Sequence, residues 1–174
     1  MSQASKKEFV NTIHLICSIT EKLGKLEGTR TGTGDAKVLQ QGLYKLRELV
    51  LSEVASRAAG DFHIRVGAGN GYVPRVPWIF VSKDPGPVSS NTGIAICFGR
   101  KGNGLVLGKM YPIGQGTGQT LRSKNRTDDD FINVNGVSVT TRYNDRFVNP
   151  KEIHQKGIDY DKFFEYLLPR LETL

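Results

Sequence analysis

The sequence predicts an α+β fold, with a mixed, largely antiparallel sheet flanked by an N-terminal helical hairpin and a C-terminal helix. Apolar residues recur at helical spacing over residues 1–60 and again over residues 157–174. Between these segments, short apolar runs alternate with glycine-rich breaks, as in strands joined by turns. No strand–helix–strand repeat is visible, which argues against a doubly wound fold. A chain of 174 residues fits one domain with a hydrophobic core.

The helical hairpin is predicted from two apolar stripes, over residues 9–23 and 38–54. Ser5 and Glu8 fit a capping box, which predicts that the first helix begins at about Lys6. Asp35 is predicted to be the N-cap of the second helix.

The sheet is predicted over residues 61–142. Residues 62–66 alternate apolar and polar side chains, as a half-buried strand does. Residues 78–81 form a second strand, and residues 93–98 and 105–109 form a strand pair. Asn135-Gly136 separates two alternating runs, which is the strongest short-range signal for a hairpin.

The positive charge of the chain is concentrated in its middle. The net charge is +7, and residues 61–127 carry nine basic and two acidic side chains. An excess of charge is usually a solvated surface, but its concentration on the breaks between strands favours binding to nucleic acid. The candidate phosphate contacts are Arg65, Arg75, Lys83, Arg100, Lys101, Lys109, Arg122, Lys124 and Arg126.

The sequence contains no recognisable catalytic or cofactor motif. Its three histidines and two cysteines offer no metal-ligand spacing, so we expect no metal, no cofactor and no catalytic residue. Asp128-Asp129-Asp130 leaves a metal-dependent nuclease open as an alternative, although adjacent aspartates in a strand point to opposite faces. No apolar run reaches the length of a membrane span and no signal peptide is visible, which predicts a cytoplasmic protein that does not bind a membrane.

Five short segments of the chain form a recognisable series: Gly67-Ala68-Gly69-Asn70, Val76-Pro77-Trp78-Ile79, the Asn-x-Gly-Ile run at residues 91–94, Leu105-Val106-Leu107, and the Gly-Ile-Asp-Tyr run at residues 157–160. In this series the chain resembles the N-terminal DNA-binding domain of McrB-type modification-dependent restriction enzymes. These segments are short, but they follow the order and the spacing of the family.

The resemblance implies a function in recognising modified DNA. Domains of this family bind duplex DNA that contains a methylated cytosine and flip the modified base into a pocket. A translocase (GTPase) or nuclease domain or subunit of the restriction system then acts on the DNA. The resemblance therefore implies a binding module that is not itself an enzyme, and the missing effector motifs favour a reader that belongs to a longer chain or complex.

The resemblance also assigns residues to the base pocket. Trp78 matches a pocket tryptophan, and Tyr143 falls where the family has a pocket tyrosine. Phe80 is assigned to the same pocket, and Ala95 stands where the family has a second tyrosine. The small residue at position 95 implies a roomier pocket, so 5-methylcytosine, 5-hydroxymethylcytosine and other modifications stay open. A core tryptophan that anchors the sheet is the alternative role for Trp78.

A glycine-rich loop over residues 67–75 is expected to enter the duplex. Family members carry a tyrosine in this loop that fills the gap left by the flipped base, and Ala68 stands at that position here. Asn70 and Tyr72 belong to the same loop, and Tyr72 is a candidate to replace the missing ring. An adaptor that binds nucleic acid without regard to modification is a further alternative.

Overall fold

A computed structural model describes residues 2–23, 30, 32, 34–68, 71, 77–98, 105–110, 131–134, 137–140, 146–148 and 160–174. The helices in this part of the chain are α1 (Gln3–Leu23), α2 (Gly34–Arg57) and α3 (Tyr160–Glu172), with a short 3₁₀ helix at Val88–Ser90. Its strands are β1 (His63–Gly67), β2 (Trp78–Ser82), β3 (Gly93–Phe98), β4 (Leu105–Met110), β5 (Phe131–Val134), β6 (Val137–Thr140) and β7 (Arg146–Val148). No helix among these residues is both long and apolar enough to cross a membrane.

The strands form two sheets. Five strands pair in the order β1-β2-β3-β4-β7, and β5 and β6 form a separate hairpin. Neighbouring strands in both sheets are antiparallel. The predicted α+β class is therefore confirmed, together with the N-terminal helical hairpin and the C-terminal helix. Strand β7 joins the sheet from beyond residue 142, where the sequence had predicted the sheet to end.

The three helices and one face of the sheet enclose a single hydrophobic core. Fully buried side chains of α1 and α2 meet those of β2, β3 and α3 in this cluster. Helix α2 contacts β1 and β2, while α1 and α3 contact β3. The helices therefore cover one face of the sheet, and the side chains of the opposite face lie outside this cluster.

Helix α1 begins earlier than the sequence predicted. The hydroxyl of Ser2 accepts a hydrogen bond from the Ser5 backbone N–H at 3.2 Å, so Ser2 is the N-cap and Ser5 lies in the first turn. The prediction that Ser5 caps the helix is therefore wrong. Ser5 is itself part of the first turn, and its backbone N–H bonds to the Ser2 hydroxyl. Asp35 likewise lies inside α2, where its carboxylate pairs with Lys22 Nζ at 3.1 Å.

Helix α2 also protects an edge of the sheet. Strand β1 is an edge strand, and such strands present backbone groups that have no partner strand. Arg47 Nε on α2 donates a hydrogen bond of 3.0 Å to the carbonyl oxygen of Ile64 on β1. This bond fixes the helix against the strand and occupies an acceptor that another chain would otherwise pair with.

Candidate nucleic-acid interface

The strand register determines which side chains share each face of the sheet. Ile64 lies opposite Val81 and Val81 opposite Ile94, and all three belong to the core under the helices. Because side chains alternate along a strand, the intervening residues point to the other face. We call this other face the aromatic face. In β1 to β3 it comprises His63, Arg65, Gly67, Trp78, Phe80, Ser82, Gly93, Ala95 and Cys97.

Two rows of residues cross the aromatic face. Arg65 lies opposite Phe80, and Phe80 lies opposite Ala95. The neighbouring row joins Gly67, Trp78 and Cys97. Directly opposed side chains in an antiparallel pair have Cβ atoms about 5 Å apart, so the members of each row are in reach of each other. The register thus brings an arginine, two aromatic rings and small side chains onto one surface.

Two glycines set the positions of the aromatic rings. A Cβ atom at Gly67 would overlap the indole of Trp78, and one at Gly93 would overlap the ring of Phe80. The Trp78 indole therefore lies over β1, while the Phe80 ring lies over β3. The two rings therefore lean in opposite directions. On β3, the residues directly opposite Trp78 and Phe80 are Cys97 and Ala95, which both have small side chains.

Three of the four predicted pocket residues come together on this face. Trp78 is 9% exposed, and Phe80 and Ala95 are fully buried. Tyr143 lies outside the described residues. Trp78 is packed against Gly67, which is the geometry of a residue that anchors the sheet. The described residues therefore show an aromatic surface that is covered in this conformation.

Arg65 is the charged residue at the edge of the aromatic face. It is partly exposed, but its terminal nitrogen Nη1 is buried and has no hydrogen-bond partner within the part of the chain that the structure describes. Leaving a buried donor without a partner lowers the stability of a folded protein by roughly 1–3 kcal/mol, and by more when the group is charged. The sequence predicted Arg65 as a phosphate contact and carried no signal that one of its donors would be buried.

The predicted duplex-inserting loop is only partly described. Ala68 is 5% exposed and belongs to the hydrophobic core, and Asn70 and Tyr72 lie outside the described residues. Gly71 has a φ of +87°, a conformation that favours glycine. The structure thus places Ala68, the second residue of the predicted loop, inside the fold.

Most of the predicted phosphate contacts also lie outside the described residues: Arg75, Arg100, Lys101, Arg122, Lys124 and Arg126. Lys109 lies on β4 at the register position opposite Ile94. Lys83 is exposed and directly follows β2. Arg146 on β7 pairs with Val106, at the end of the row that contains Trp78. The short Arg-Phe-Val strand that carries it gave too weak a pattern to be recognised from the sequence.

The two ends of the sheet differ in the connections that they carry. The connections after β1 and β3 begin at Gly67 and Phe98, beside the start of β2 at Trp78. The connection after β2 lies at the opposite end and is held by side chains. There, Asn91 Nδ2 donates to the carbonyl oxygens of Asp84 at 3.1 Å and Gly86 at 2.8 Å. We call the end at which β2 begins the Trp78 end.

The described residues offer no arrangement for nucleophilic or metal-dependent chemistry. Burial raises the pKa of Cys17 to about 12 and the pKa of Cys97 further still, so both thiols are protonated near neutral pH. Burial and the neighbouring carboxylate of Glu53 raise the pKa of Tyr160 above its usual range. No group of three or more histidine, cysteine, aspartate or glutamate side chains within the described ranges could hold a metal ion. Asp128, Asp129 and Asp130 lie outside those ranges.

Comparison of the chain with models of protein families, with curated proteins and with solved structures finds no match.

Proposed function

We propose that this chain binds duplex DNA that carries a modified cytosine and holds the modified base, flipped out of the helix, against the aromatic face. One observation carries the proposal: Trp78, Phe80, Ala95 and Arg65 occupy adjacent register positions on the sheet face opposite the helices. The segmental resemblance to modification-dependent restriction enzymes supports it independently. The chain acts as a reader, and a translocase (GTPase) or nuclease domain or subunit supplies the reaction on DNA.

The proposed pocket meets the physical requirements of base flipping. Extruding a base costs a few kcal/mol of lost stacking and pairing, and stacking on an aromatic side chain returns about 1–3 kcal/mol. We assign the substituent on cytosine, either 5-methyl or 5-hydroxymethyl, to the position beside the small side chain of Ala95. Because Phe80 is fully buried, the base enters only when the aromatic face opens, and we place this opening at the Trp78 end.

Positive charge supplies the affinity that does not depend on sequence. Residues 61–127 carry nine basic and two acidic side chains, and several of the basic ones lie on the connections between strands. Such residues neutralise phosphates and release counterions, which makes binding weaken steeply as salt rises. The aromatic face then discriminates between modified and plain bases.

A fluorescence titration tests the proposal directly. Trp78 is the single tryptophan of the chain, so its emission reports on the aromatic face. Duplexes that differ at one position, with cytosine, 5-methylcytosine or 5-hydroxymethylcytosine, are titrated into the protein. We expect tighter binding to a modified duplex, with quenching of Trp78 emission when the base stacks on the indole. Binding is measured in parallel by anisotropy of labelled DNA.

Two outcomes would contradict the proposal. Equal affinity for plain and modified duplexes would indicate an adaptor that binds nucleic acid without regard to modification. Cleavage of a plasmid in the presence of magnesium would indicate the nuclease alternative.

For Trp78→Phe, which retains an aromatic ring, we expect a weaker preference for modified DNA and a folded protein. If the variant is unfolded by circular dichroism, the role of Trp78 is to anchor the sheet.

A further inference from the structure

Arg65, which lies on the aromatic face, carries a buried hydrogen-bond donor. Its Nη1 atom has no hydrogen-bond partner among the described residues, although the residue as a whole is partly exposed. Buried donors in folded proteins almost always have a partner, and each exception calls for an explanation. A ligand that brings an acceptor to this atom would remove the cost of leaving it unpaired.

The position of Arg65 indicates what kind of acceptor this is. On β1 the next residue on the same face is Gly67, which the Trp78 indole covers, and the residue directly opposite Arg65 is Phe80. The register thus places Arg65 on the same face as both rings of the proposed pocket, directly opposite Phe80. A planar base stacked on these rings would present its edge to Arg65, whereas a phosphate remains on the hydrated outer surface of the duplex.

We propose that Arg65 selects cytosine-type bases by donating to the adjacent acceptors O2 and N3 of the flipped base. This inference rests on the proposed function and specifies the ligand of the same site. The guanidinium presents its N–H groups as a planar fork, which matches two neighbouring acceptors. Thymine and uracil carry an N–H donor at N3, so their edge places a donor against the donors of Arg65.

The experiment compares bases that differ in this edge and share the same 5-substituent. Two duplexes are identical except at one position opposite guanine, which holds 5-methylcytosine in one and thymine in the other. A second pair carries 5-hydroxymethylcytosine and 5-hydroxymethyluracil. We expect the wild-type chain to prefer the cytosine member on the order of tenfold to a hundredfold, the discrimination typical of a bidentate arginine contact. Thymine or 5-hydroxymethyluracil opposite guanine is a mismatch, so that base flips more easily. Ease of flipping would therefore favour these members, which is opposite to the preference that we expect.

Variants at position 65 distinguish recognition by the planar guanidinium from attraction by its positive charge. Arg65→Gln removes the charge and the fork, and Arg65→Lys retains the charge alone. We expect both variants to lose the preference for the cytosine member while they still bind both duplexes. Arg100→Gln, the matched control on the connection after β3, should weaken binding to both duplexes equally. Because no described residue accepts a hydrogen bond from Nη1, the melting temperature of Arg65→Gln should not fall.

The outcomes separate this inference from the proposed function. If the wild-type chain prefers the cytosine members and Arg65→Lys preserves that preference, a charge is sufficient and the inference is wrong. It is also wrong if Arg65→Gln weakens both duplexes by the same factor, since Arg65 would then contact phosphate. The inference is likewise wrong if the wild-type chain binds the two members of each pair with equal affinity. Equal binding of plain and modified cytosine would contradict the proposed function itself.

Discussion

At the scale of single residues, two glycines and two aromatic side chains define the aromatic face. Gly67 and Gly93 lie where a Cβ atom would overlap Trp78 and Phe80, so each ring is held over the strand that carries the glycine. The sequence predicted a flexible loop from Gly67 and a strand from Gly93, and it predicted no contact of either glycine with an aromatic ring. Their role in the structure is the close approach of an aromatic ring, which follows from pairing between strands and has no local signature.

Replacing Gly93 with alanine should destabilise the protein. The new Cβ atom would overlap the Phe80 ring and also the backbone carbonyl oxygen of Val81, which cannot rotate away. Overpacking of this kind costs about 1–3 kcal/mol, and we expect a loss of that size in the free energy of unfolding measured in urea.

A matched control for Gly93→Ala is Gly34→Asn. Gly34 has a φ of +51° and open space around its Cα atom, a conformation that asparagine tolerates. The control should change stability by less than about 0.5 kcal/mol, as most surface substitutions do. If Gly93→Ala is equally harmless, the Phe80 ring is free to move aside and is not held by Gly93.

At the scale of the elements, α3 is attached to the N-terminal hairpin by an aromatic cluster. The ring of Phe9 on α1 lies 5.2 Å from Tyr160, 5.0 Å from Phe163 and 5.3 Å from Phe164 between centroids. Lys6 Nζ also pairs with the Asp161 carboxylate at 2.7 Å, but this ion pair is partly exposed and contributes little. The rings therefore hold the first and last helices together.

Removing the ring of Phe9 should weaken the attachment of α3. Phe9 is fully buried, and large-to-small changes of this kind cost about 3–5 kcal/mol. We expect Phe9→Ala to lower the urea midpoint strongly and to speed hydrogen exchange in α3. Leu15→Ala on the same helix is the control, because Leu15 is 44% exposed and should change stability by less than about 0.5 kcal/mol. Similar losses for both variants would contradict the assigned packing.

The sequence predicted the elements better than their assembly. Helices and strands follow from local periodicity, and the Asn135-Gly136 turn correctly predicted the pairing of β5 with β6. The adjacency of Arg65, Phe80 and Ala95 depends on the register between three strands, which no local pattern encodes. The burial of Ala68 likewise depends on helices that are distant in sequence.

At the scale of the whole molecule, the two faces of the sheet carry different side chains. One face carries the apolar side chains that stabilise the domain against three helices, and the other carries Trp78, Phe80 and Arg65. Under the proposed function, we expect changes on the aromatic face to alter DNA recognition while the helical core is retained. The two ends of the sheet are also distinct, because the connections after β1 and β3 leave from the Trp78 end and Lys83 follows the other end of β2.

This difference between the two ends of the sheet predicts that basic residues at the two ends contribute unequally to DNA binding. Lys83 lies five residues beyond Trp78, roughly 16 Å along an extended strand. A charge at that separation is largely screened, since the Debye length is about 8 Å at physiological salt. Arg100 belongs to the connection that leaves β3 at the Trp78 end, and its own structure lies outside the described residues. We therefore expect the duplex to engage Arg100 more strongly than Lys83.

Binding measured over a range of salt concentrations tests this expectation with two substitutions that each remove one positive charge. Arg100→Gln should reduce the slope of log affinity against log salt by about 0.9, the value for one lost phosphate contact. Lys83→Gln should leave the slope unchanged, and neither variant should alter the preference for a modified base. If both variants reduce the slope by the same amount, the duplex spans both ends of the sheet. A reduced slope in Lys83→Gln alone would place the bound DNA at the opposite end, away from Trp78.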